Sequence, residues 1–371
     1  MKKPPFSAAE PGRKADLIFA EIERRILNGT WKVGDRLPID TALAAEFHCS
    51  VGTLGKAIDR LTQSGMLERR PRVGTRVLHT SPQHDSSPES ATYAFIYPSE
   101  KHEGIRRILA GFQGAAYEAE HRSLMIPTGP NTRKEAEALG RLSALNVKGA
   151  VLFPVLLTPE DQVYYMQMIL ACPFPVVLAG VSLIGVRRPT VVLDGLHAGY
   201  TMTRHVLAKG ARRIGYLGNY AWVSSGRDRY LGYRQAMNEA GVAIQPDDVC
   251  LEPSQLPNYK DLLAEPFQMG KRYLEQRPGV EAVVCSNDFL ACGCVRAARE
   301  LGLAVPGQLK VTGIDGFQSL PADFPRLTSY RTPFEEIGQK AFAALITAEQ
   351  GKNEGPEEIL IRGDIIAGDT A

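Results

Sequence analysis

The chain has 371 residues, of which 44% are hydrophobic and 23% charged, and its formal net charge is only +2. This length predicts two or three folded units, and the ordinary composition excludes a chain that needs disulfides or metals to stabilise a small core. The six cysteines form neither a C-x-x-C pair nor a spaced Cys/His cluster, so no disulfide framework and no zinc site are expected.

The amino-terminal sequence and the hydropathy pattern predict a cytoplasmic protein without a membrane segment. Met1-Lys2-Lys3 is followed by prolines and charges rather than by an apolar signal region, and the longest apolar stretch, near 174–186, is too short to span a bilayer.

The charge is unevenly distributed. Residues 1–80 contain fourteen Lys and Arg against nine Asp and Glu, a net charge of +5, which leaves −3 for the rest of the chain. A basic amino-terminal region followed by a slightly acidic remainder favours contact between the amino-terminal region and a polyanion.

The first 78 residues show helix and hairpin patterns. Apolar periodicity predicts helices over 14–27, 39–47 and 51–64, and Ser50 is a candidate N-cap for the third. Residues 66–70 and 75–78 read as two short strands around a turn. Helix, turn, helix and hairpin is the order of a winged helix-turn-helix.

Basic residues concentrate on the third predicted helix and the hairpin. The six are Lys56, Arg60, Arg69, Arg70, Arg72 and Arg76, opposed only by Asp59 and Glu68. Such residues suit phosphate contacts, although a solvated helix face with a surface hairpin explains the pattern about equally well.

Residues 14–78 resemble the GntR-type DNA-binding domain. The motifs are Gly34-Asp35-Arg36-Leu37-Pro38, Leu43-Ala44, Ser50, Thr53, Ala57, Leu61, Gly65-Met66-Leu67-Glu68-Arg69 and Gly74-Thr75. The resemblance implies DNA contacts by Arg36, Ser50, Thr53, Lys56, Arg60, Arg72, Gly74, Thr75 and Arg76. The family's two recognition-helix arginines fall on Val51 and Gly55, and Ile39-Asp40-Thr41 replaces its usual Ser-Glu-Arg.

The second part of the chain alternates between strand and helix patterns. Residues 79–91 have the composition of a linker, and 92–371 predict α/β structure with parallel sheets. Strands are expected at 91–97, 123–126, 149–153, 176–179, 191–193, 214–217, 282–285 and 311–314. We expect two subdomains, about 92–210 with 330–350 and 211–329 with 351–371.

Polar residues follow several of these strands, where open parallel sheets bind ligands. Asp194, Asn287 and Asp315 each come directly after or close to a strand, and Arg229 opens a helix. These groups suit sugar hydroxyls, and Trp222 and Phe289 suit an apolar sugar face. Asp194, Asn287 and Asp315 also sit where helix caps belong, and for any one of them a cap is at least as good an explanation.

The region from Tyr93 to the end resembles the LacI/GalR-type effector domain, which is itself like periplasmic sugar-binding proteins. The motifs are Val192-Leu193-Asp194, Lys209-Gly210-Ala211-Arg212-Arg213-Ile214, Arg229-Tyr230-Leu231-Gly232-Tyr233, Ser286-Asn287-Asp288-Phe289-Leu290-Ala291, Gly313-Ile314-Asp315-Gly316 and Pro325-Arg326-Leu327-Thr328-Ser329. The resemblance implies that Arg229, Asn287 and Asp315 hold sugar hydroxyls. The family's hinge helix is missing, and the linker stands in its place.

The combination of head and body resembles the arabinose-repressor architecture. It implies a homodimer that binds a paired double-stranded DNA operator and responds to a small carbohydrate, without a cofactor. One alternative is a sugar-sensing protein whose head no longer reads an operator. An enzyme is a further alternative, but the sequence has no nucleophile elbow, Walker loop, G-x-G-x-x-G or metal cluster.

Overall fold

The computed structural model describes residues 11–27, 29–63, 66–70, 74–78, 91–183, 185–219, 223–252, 261–320, 324–351 and 357–371. The chain divides into two units, residues 1–90 and 91–371. We refer to them as the head and the body.

The head contains three helices and a hairpin, as predicted. The elements are α1 (Pro11–Leu27), α2 (Asp40–Glu46), α3 (Val51–Gln63), β1 (Leu67–Arg70) and β2 (Gly74–Val77). The antiparallel hairpin is extended by a backbone bridge between Arg36 and Arg76. The core of the head comes from the apolar faces of the helices, including Ile22, Leu43 and Ile58. The head therefore buries an apolar cluster of its own.

The body contains two six-stranded sheets. The first has the order β13-β7-β6-β5-β3-β4 and is entirely parallel. Its strands are β3 (Thr92–Tyr97), β4 (Arg122–Pro127), β5 (Val147–Leu152), β6 (Val176–Ala179), β7 (Thr190–Leu193) and β13 (Glu358–Ile361). Helices α4 (Glu103–Glu118), α5 (Thr132–Leu142), α6 (Asp161–Leu170) and α11 (Phe334–Glu349) pack around this sheet to form the first lobe.

The second sheet has the order β14-β12-β11-β10-β8-β9 and is parallel except for β14. Its strands are β8 (Ile214–Asn219), β9 (Val249–Glu252), β10 (Ala282–Cys285), β11 (Lys310–Asp315), β12 (Thr328–Arg331) and β14 (Asp364–Ile366). With α7 (Gly195–Ala208), α8 (Ser224–Glu239), α9 (Ala264–Gln276) and α10 (Asp288–Glu300), these strands form the second lobe.

The chain passes between the lobes three times, after β7, after β12 and after β13. Helix α7 therefore packs on the second sheet, whereas the sequence analysis assigned residues up to 210 to the first subdomain. Strand β13 pairs with β7 in the first sheet, although 351–371 were assigned to the second. Strand pairing over long sequence distances decides these memberships, and a local pattern carries no information about it.

Candidate ligand cavity and nucleic-acid interface

A cavity of about 320 Å³ lies between the two lobes. It is lined at the carboxyl ends of several strands, where binding sites of parallel sheets occur. The second lobe contributes mainly polar residues to it, and the first lobe mainly apolar ones. Three residues predicted from the LacI/GalR resemblance, Arg229, Asn287 and Asp315, all line this cavity.

Arg229 is the cation of the cavity wall, with a side chain that is 13% exposed. Its Nη2 donates to Asp315 Oδ1 at 3.1 Å, and its Nη1 donates to the backbone carbonyl of Ser286. Its buried Nε has no hydrogen-bond partner among the described residues. The guanidinium is thus oriented by the protein, and one of its donors is left unpaired.

Glycines fix the position of Arg229 by bringing α7 and α8 into close contact. A methyl group at Gly199 would lie 1.9 Å from the backbone oxygen of Arg229, and one at Gly232 would lie 2.0 Å from that of Leu196. Only glycine allows this backbone approach, which holds the first turns of α8 against α7.

Asp315 ends β11 and is buried beside Arg229. Its φ of 138° is a conformation that residues other than glycine rarely adopt. Burial raises the pKa of Asp315 to about 7, although the Arg229 charge opposes this increase. Burial also raises the pKa of Asp288 to about 6. Two buried carboxylates therefore lie near one guanidinium, and their protonation is coupled.

Asn287 combines a cap and a cavity position. Its Oδ1 accepts the amide of Leu290 at 2.9 Å and caps α10, which is the structural explanation raised in the sequence analysis. Its Nδ2 donates to Asn219 Oδ1 at 3.2 Å. Asn219, at the end of β8, also lines the cavity and was not singled out from the sequence.

Asp194 differs from the expectation. Its carboxylate accepts the amide of His197 at 2.9 Å to cap α7, and it pairs with Arg362 Nε at 2.8 Å. It is not among the residues that line the cavity, although its neighbours Leu193 and Gly195 are. The cap and the ion pair use both carboxylate oxygens. Because α7 follows the crossover after β7 and Arg362 follows β13, Asp194 joins two of the segments that cross between the lobes.

Aromatic residues cover one side of the cavity. Phe289 lines it as predicted, and its ring centre lies 5.0 Å from that of Phe317. Trp222, the other predicted aromatic contact, lies outside the described residues.

His102 is a cavity residue that the sequence analysis missed. It precedes α4 in the first lobe, and its ring packs edge-on against Phe289 and Phe317 of the second lobe. Burial lowers its pKa to about 4, so the imidazole is neutral near pH 7. Its Nδ1 is buried without a hydrogen-bond partner in the described part of the chain. Its place shortly after β3, at the same carboxyl edge as the predicted ligands, is the signal that points to it.

In the head, α3 presents its amino-terminal half to solvent. Ser50 caps the helix, since its Oγ accepts the amide of Thr53 at 3.1 Å and lies 2.8 Å from Thr53 Oγ1. Lys56 is exposed further along the helix. Arg60 is exposed and places its guanidinium 4.5 Å from the ring centre of Phe19.

Of the residues in and beside the hairpin that were predicted to contact DNA, some are exposed and one is buried in the core of the head. The side chains of Arg36 and Arg76 are exposed, and Arg76 Nε pairs with Glu68 at 2.8 Å. Gly74 is exposed with a φ of 101°. Thr75 is only 5% exposed, because alternate residues of β2 face the core, so its side chain does not present a DNA contact. Arg72 lies outside the described residues.

The two positions at which the family places arginines lie on the accessible face of α3. Val51 is 46% exposed. Gly55 is partly exposed, and a methyl group there would meet no atom within 4 Å. This face therefore has room for long side chains but carries none at these two positions.

Two family models match parts of the two units. Residues 14–77 match bacterial regulatory proteins of the gntR family, and residues 203–371 match the periplasmic binding protein-like domain. The chain therefore joins a GntR-type helix-turn-helix domain to a periplasmic-binding-protein-like domain, and the predicted α/β class with two parallel-sheet lobes is confirmed.

Two relatives match over nearly the whole chain. The arabinose metabolism transcriptional repressor of Geobacillus stearothermophilus is 25% identical over 93% of this chain and 94% of its own length. The transcriptional regulator GntR of Escherichia coli K12 is 26% identical over 88% of this chain and 93% of its own length. The transcription regulator CcpA of Lactococcus lactis has the same fold, with a TM-score of 0.66 at 21% identity over 76% of this chain and 99% of CcpA. These relatives are transcription regulators, and the chain is a DNA-binding transcription regulator, as predicted.

No described helix is long and apolar enough to cross a bilayer.

Proposed function

We propose that this chain is a cytoplasmic, homodimeric transcription repressor that binds a paired DNA operator through its head and is controlled by a small carbohydrate in the interlobe cavity. A ligand that contacts both lobes favours one arrangement of the lobes over another, and this difference can be transmitted to the spacing of the two heads.

The observation that carries the proposal is the Arg229–Asp315 pair in the cavity wall. The pair places guanidinium N–H groups beside a carboxylate acceptor, and vicinal hydroxyls can bind both. Asn219 and Asn287 add amide groups at the same edge.

The head supplies groups for DNA contact. Lys56, Arg60 and Arg36 are exposed on α3 and beside the hairpin, where they can neutralise phosphates. The effector is expected to bind without being turned over, since the arrangement around Arg229 orients hydroxyls and the relatives are regulators.

The proposal is tested by screening mono- and disaccharides for a thermal shift, followed by calorimetry on any hit. The full-length protein is then used to select DNA duplexes from a random library. Fluorescence anisotropy measures its affinity for the selected duplexes with and without the sugar that binds. Arg229→Ala is expected to lower the affinity for the sugar by roughly tenfold or more, because buried partners lose a charged hydrogen bond.

Arg326→Ala is the matched control, because Arg326 also pairs with a carboxylate in the second lobe but is 78% exposed. It should bind the sugar like the wild type. Arg229→Lys, which keeps the charge but loses the planar fork, covers the case in which the alanine variant does not fold. Wild-type response in a folded Arg229 variant would show that the cavity is not the effector site.

Val51 and Gly55, on the accessible face of α3, favour a second candidate function, a sugar sensor with little operator discrimination. Arginines at these positions would read guanine, and each such contact is worth about 1–3 kcal/mol of base discrimination. Failure of the selection to enrich any duplex, with sugar binding intact, would favour this candidate over the repressor.

A further inference from the structure

A second cavity, of about 620 Å³, lies in the first lobe and shares no lining residue with the interlobe cavity. Val176, Pro189 and Ile359 line it at or beside the first residues of β6, β7 and β13, so it lies where these parallel strands begin. The interlobe cavity lies at the opposite, carboxyl edge of the sheets. The second cavity is therefore a separate site, with a volume in the range of small-molecule pockets, about 300–1,000 Å³.

Much of the lining of the second cavity is apolar. Phe174 and Pro189, from the loops that lead into β6 and β7, line it together with Ile359 of β13. Helix α11 adds small side chains, since Ala344 and Ala348 are four residues apart and lie on one face of the helix. These residues offer an apolar surface, and the alanines leave room beside it for a ligand.

Three cations also line the second cavity, namely Arg187, Arg188 and Lys340, against one carboxylate, that of Glu357. Three positive charges and one negative charge give a net charge of +2. Arg187 and Glu357 lie 3.9 Å apart, and both side chains are largely exposed, so this ion pair is weak. Lys340 is exposed and forms no ion pair with a described residue. The charge of the cavity therefore favours an anionic ligand.

Arg188 is the cation that is held most firmly at the second cavity. Its backbone amide donates to the carbonyl of Val186 at 3.0 Å, and its carbonyl accepts the Thr190 hydroxyl at 3.1 Å. Burial raises the pKa of the Cys172 thiol, which also lines the cavity, and the Arg188 charge opposes this increase.

The half-buried guanidinium of Arg188 has no carboxylate partner within the described ranges, and its buried Nε has no hydrogen-bond partner there. Charges withdrawn from water are normally paired in proteins. An anion in the second cavity would supply the opposite charge that the described part of the chain does not provide.

We propose that the second cavity binds a small aromatic carboxylate. Its carboxylate lies against Arg188 and Lys340, and its ring lies on the apolar surface around Phe174 and the alanine face of α11. Hydrogen bonds between guanidinium and carboxylate are among the stronger ones in proteins, and the ring gains free energy by leaving water. The inference goes beyond the proposed function and does not depend on it, because it concerns a different cavity.

The test titrates three fluorinated probes into the full-length protein and follows their binding by fluorine NMR. 4-Fluorobenzoate has both the charge and the ring. 4-Fluorobenzamide keeps the shape without the charge, and fluoroacetate keeps the carboxylate without the ring. 4-Fluorobenzoate should bind more tightly than either by roughly tenfold or more, because a charged hydrogen bond and a buried ring each contribute about this factor.

Variants locate the bound probe. Arg188→Gln should lower the affinity for 4-fluorobenzoate by roughly tenfold, and Lys340→Gln, at an exposed position, by roughly threefold. The Lys340 variant also covers the case in which Arg188→Gln does not fold. Arg141→Gln is the matched control, because Arg141 is exposed on α5 of the same lobe and does not line the cavity. Arg229→Ala, in the interlobe cavity, should bind the probe like the wild type.

Tighter binding of 4-fluorobenzoate that weakens in the Arg188 and Lys340 variants, but not in Arg141→Gln or Arg229→Ala, supports the inference. Failure of 4-fluorobenzoate to bind, affinity no higher than for either of the other probes, or affinity unchanged in folded variants of both residues overturns it. Loss of binding in Arg229→Ala alone would assign the anion to the interlobe cavity and would overturn it as well. The proposed function is tested separately, by sugar and DNA binding.

Discussion

At the residue scale, the cavity places two buried carboxylates near one cation. Asp288 accepts the amide of Phe317 at 2.8 Å and the Ser329 hydroxyl at 2.6 Å, while Asp315 pairs with Arg229. Burial raises the pKa of both carboxyls, and one guanidinium cannot fully offset two buried negative charges. Protonation near neutral pH is therefore part of the chemistry of this site.

Effector affinity is expected to depend on pH through Asp315. A sugar hydroxyl donates to the ionised carboxylate, and the ionised fraction grows as the pH rises through the pKa of about 7. Affinity should therefore be higher at pH 8 than at pH 6, by at most about tenfold per pH unit, and Asp315→Asn should flatten this dependence. Calorimetry at pH 6, 7 and 8 measures it.

The control for this prediction is Asp369→Asn, which removes an exposed carboxylate paired with Arg326 in the same lobe. It should keep the wild-type pH profile. An equally steep profile in Asp315→Asn would assign the titration to Asp288, whose pKa burial raises to about 6.

At the element scale, short-range packing and special residues decide what each element presents. The glycine contacts between α7 and α8 hold Arg229 in the cavity wall, whereas the two glycines within α3, Gly52 and Gly55, weaken a helix that is expected to meet DNA. At Gly55 no neighbouring atom requires the absence of a side chain, so packing gives no reason for the glycine.

Substitution of Gly55 separates helix stability from DNA contact. Gly55→Ala should stabilise the head by up to about 1 kcal/mol, measured by urea unfolding, because alanine loses less backbone entropy in a helix. Gly55→Arg should in addition tighten binding to any duplex and steepen the salt dependence, changing the slope of log K against log salt by about −0.9 for one added phosphate contact.

Gly55→Ala serves as the control for the arginine variant, since both remove the glycine but only one adds a charge. Salt slopes that are the same in the two variants would mean that this face of α3 does not lie against DNA.

At the scale of the whole molecule, the chain consists of two units, each with apolar clusters of its own. The head buries Ile18, Ile22, Leu54 and Ile58 among its own elements, so we expect a fragment of residues 1–78 to fold. Under the proposed function, operator specificity and effector response come from joining two heads through two bodies.

The isolated head is expected to discriminate poorly between DNA sequences. Fragment 1–78 should bind the selected operator with little preference over random DNA, because Val51 and Gly55 replace the guanine-reading arginines. The full-length dimer should show a strong preference, because two weak half-sites at fixed spacing multiply their affinities. Anisotropy titrations of both proteins at one salt concentration measure the two ratios, and circular dichroism checks the fold of the fragment. Equal discrimination by a folded fragment would point to base contacts elsewhere in the head.

The sequence by itself determined the local elements and their order. Apolar periodicity located the head helices, Ser50 was recognised as the cap of α3, and the strands that begin the βα units lie within a residue or two of their predicted positions. These features depend on contacts between near neighbours, which a local pattern records. Strands β9, β12, β13 and β14 and helix α11 were not predicted as elements.

Only the tertiary structure decided which side chains meet. Arg229 and Asp315 are 86 positions apart in sequence and become partners because α8 and β11 share a lobe. Asp194 follows its strand as the other predicted ligands do, yet its carboxylate is used by a helix cap and by Arg362, 168 positions away. His102 and the apolar residues that line the cavity have no motif, because a cavity is formed by strand ends and loops that are distant in the chain. The polarity of the binding site thus follows from strand order and lobe crossovers, which the periodicity of a single segment does not encode.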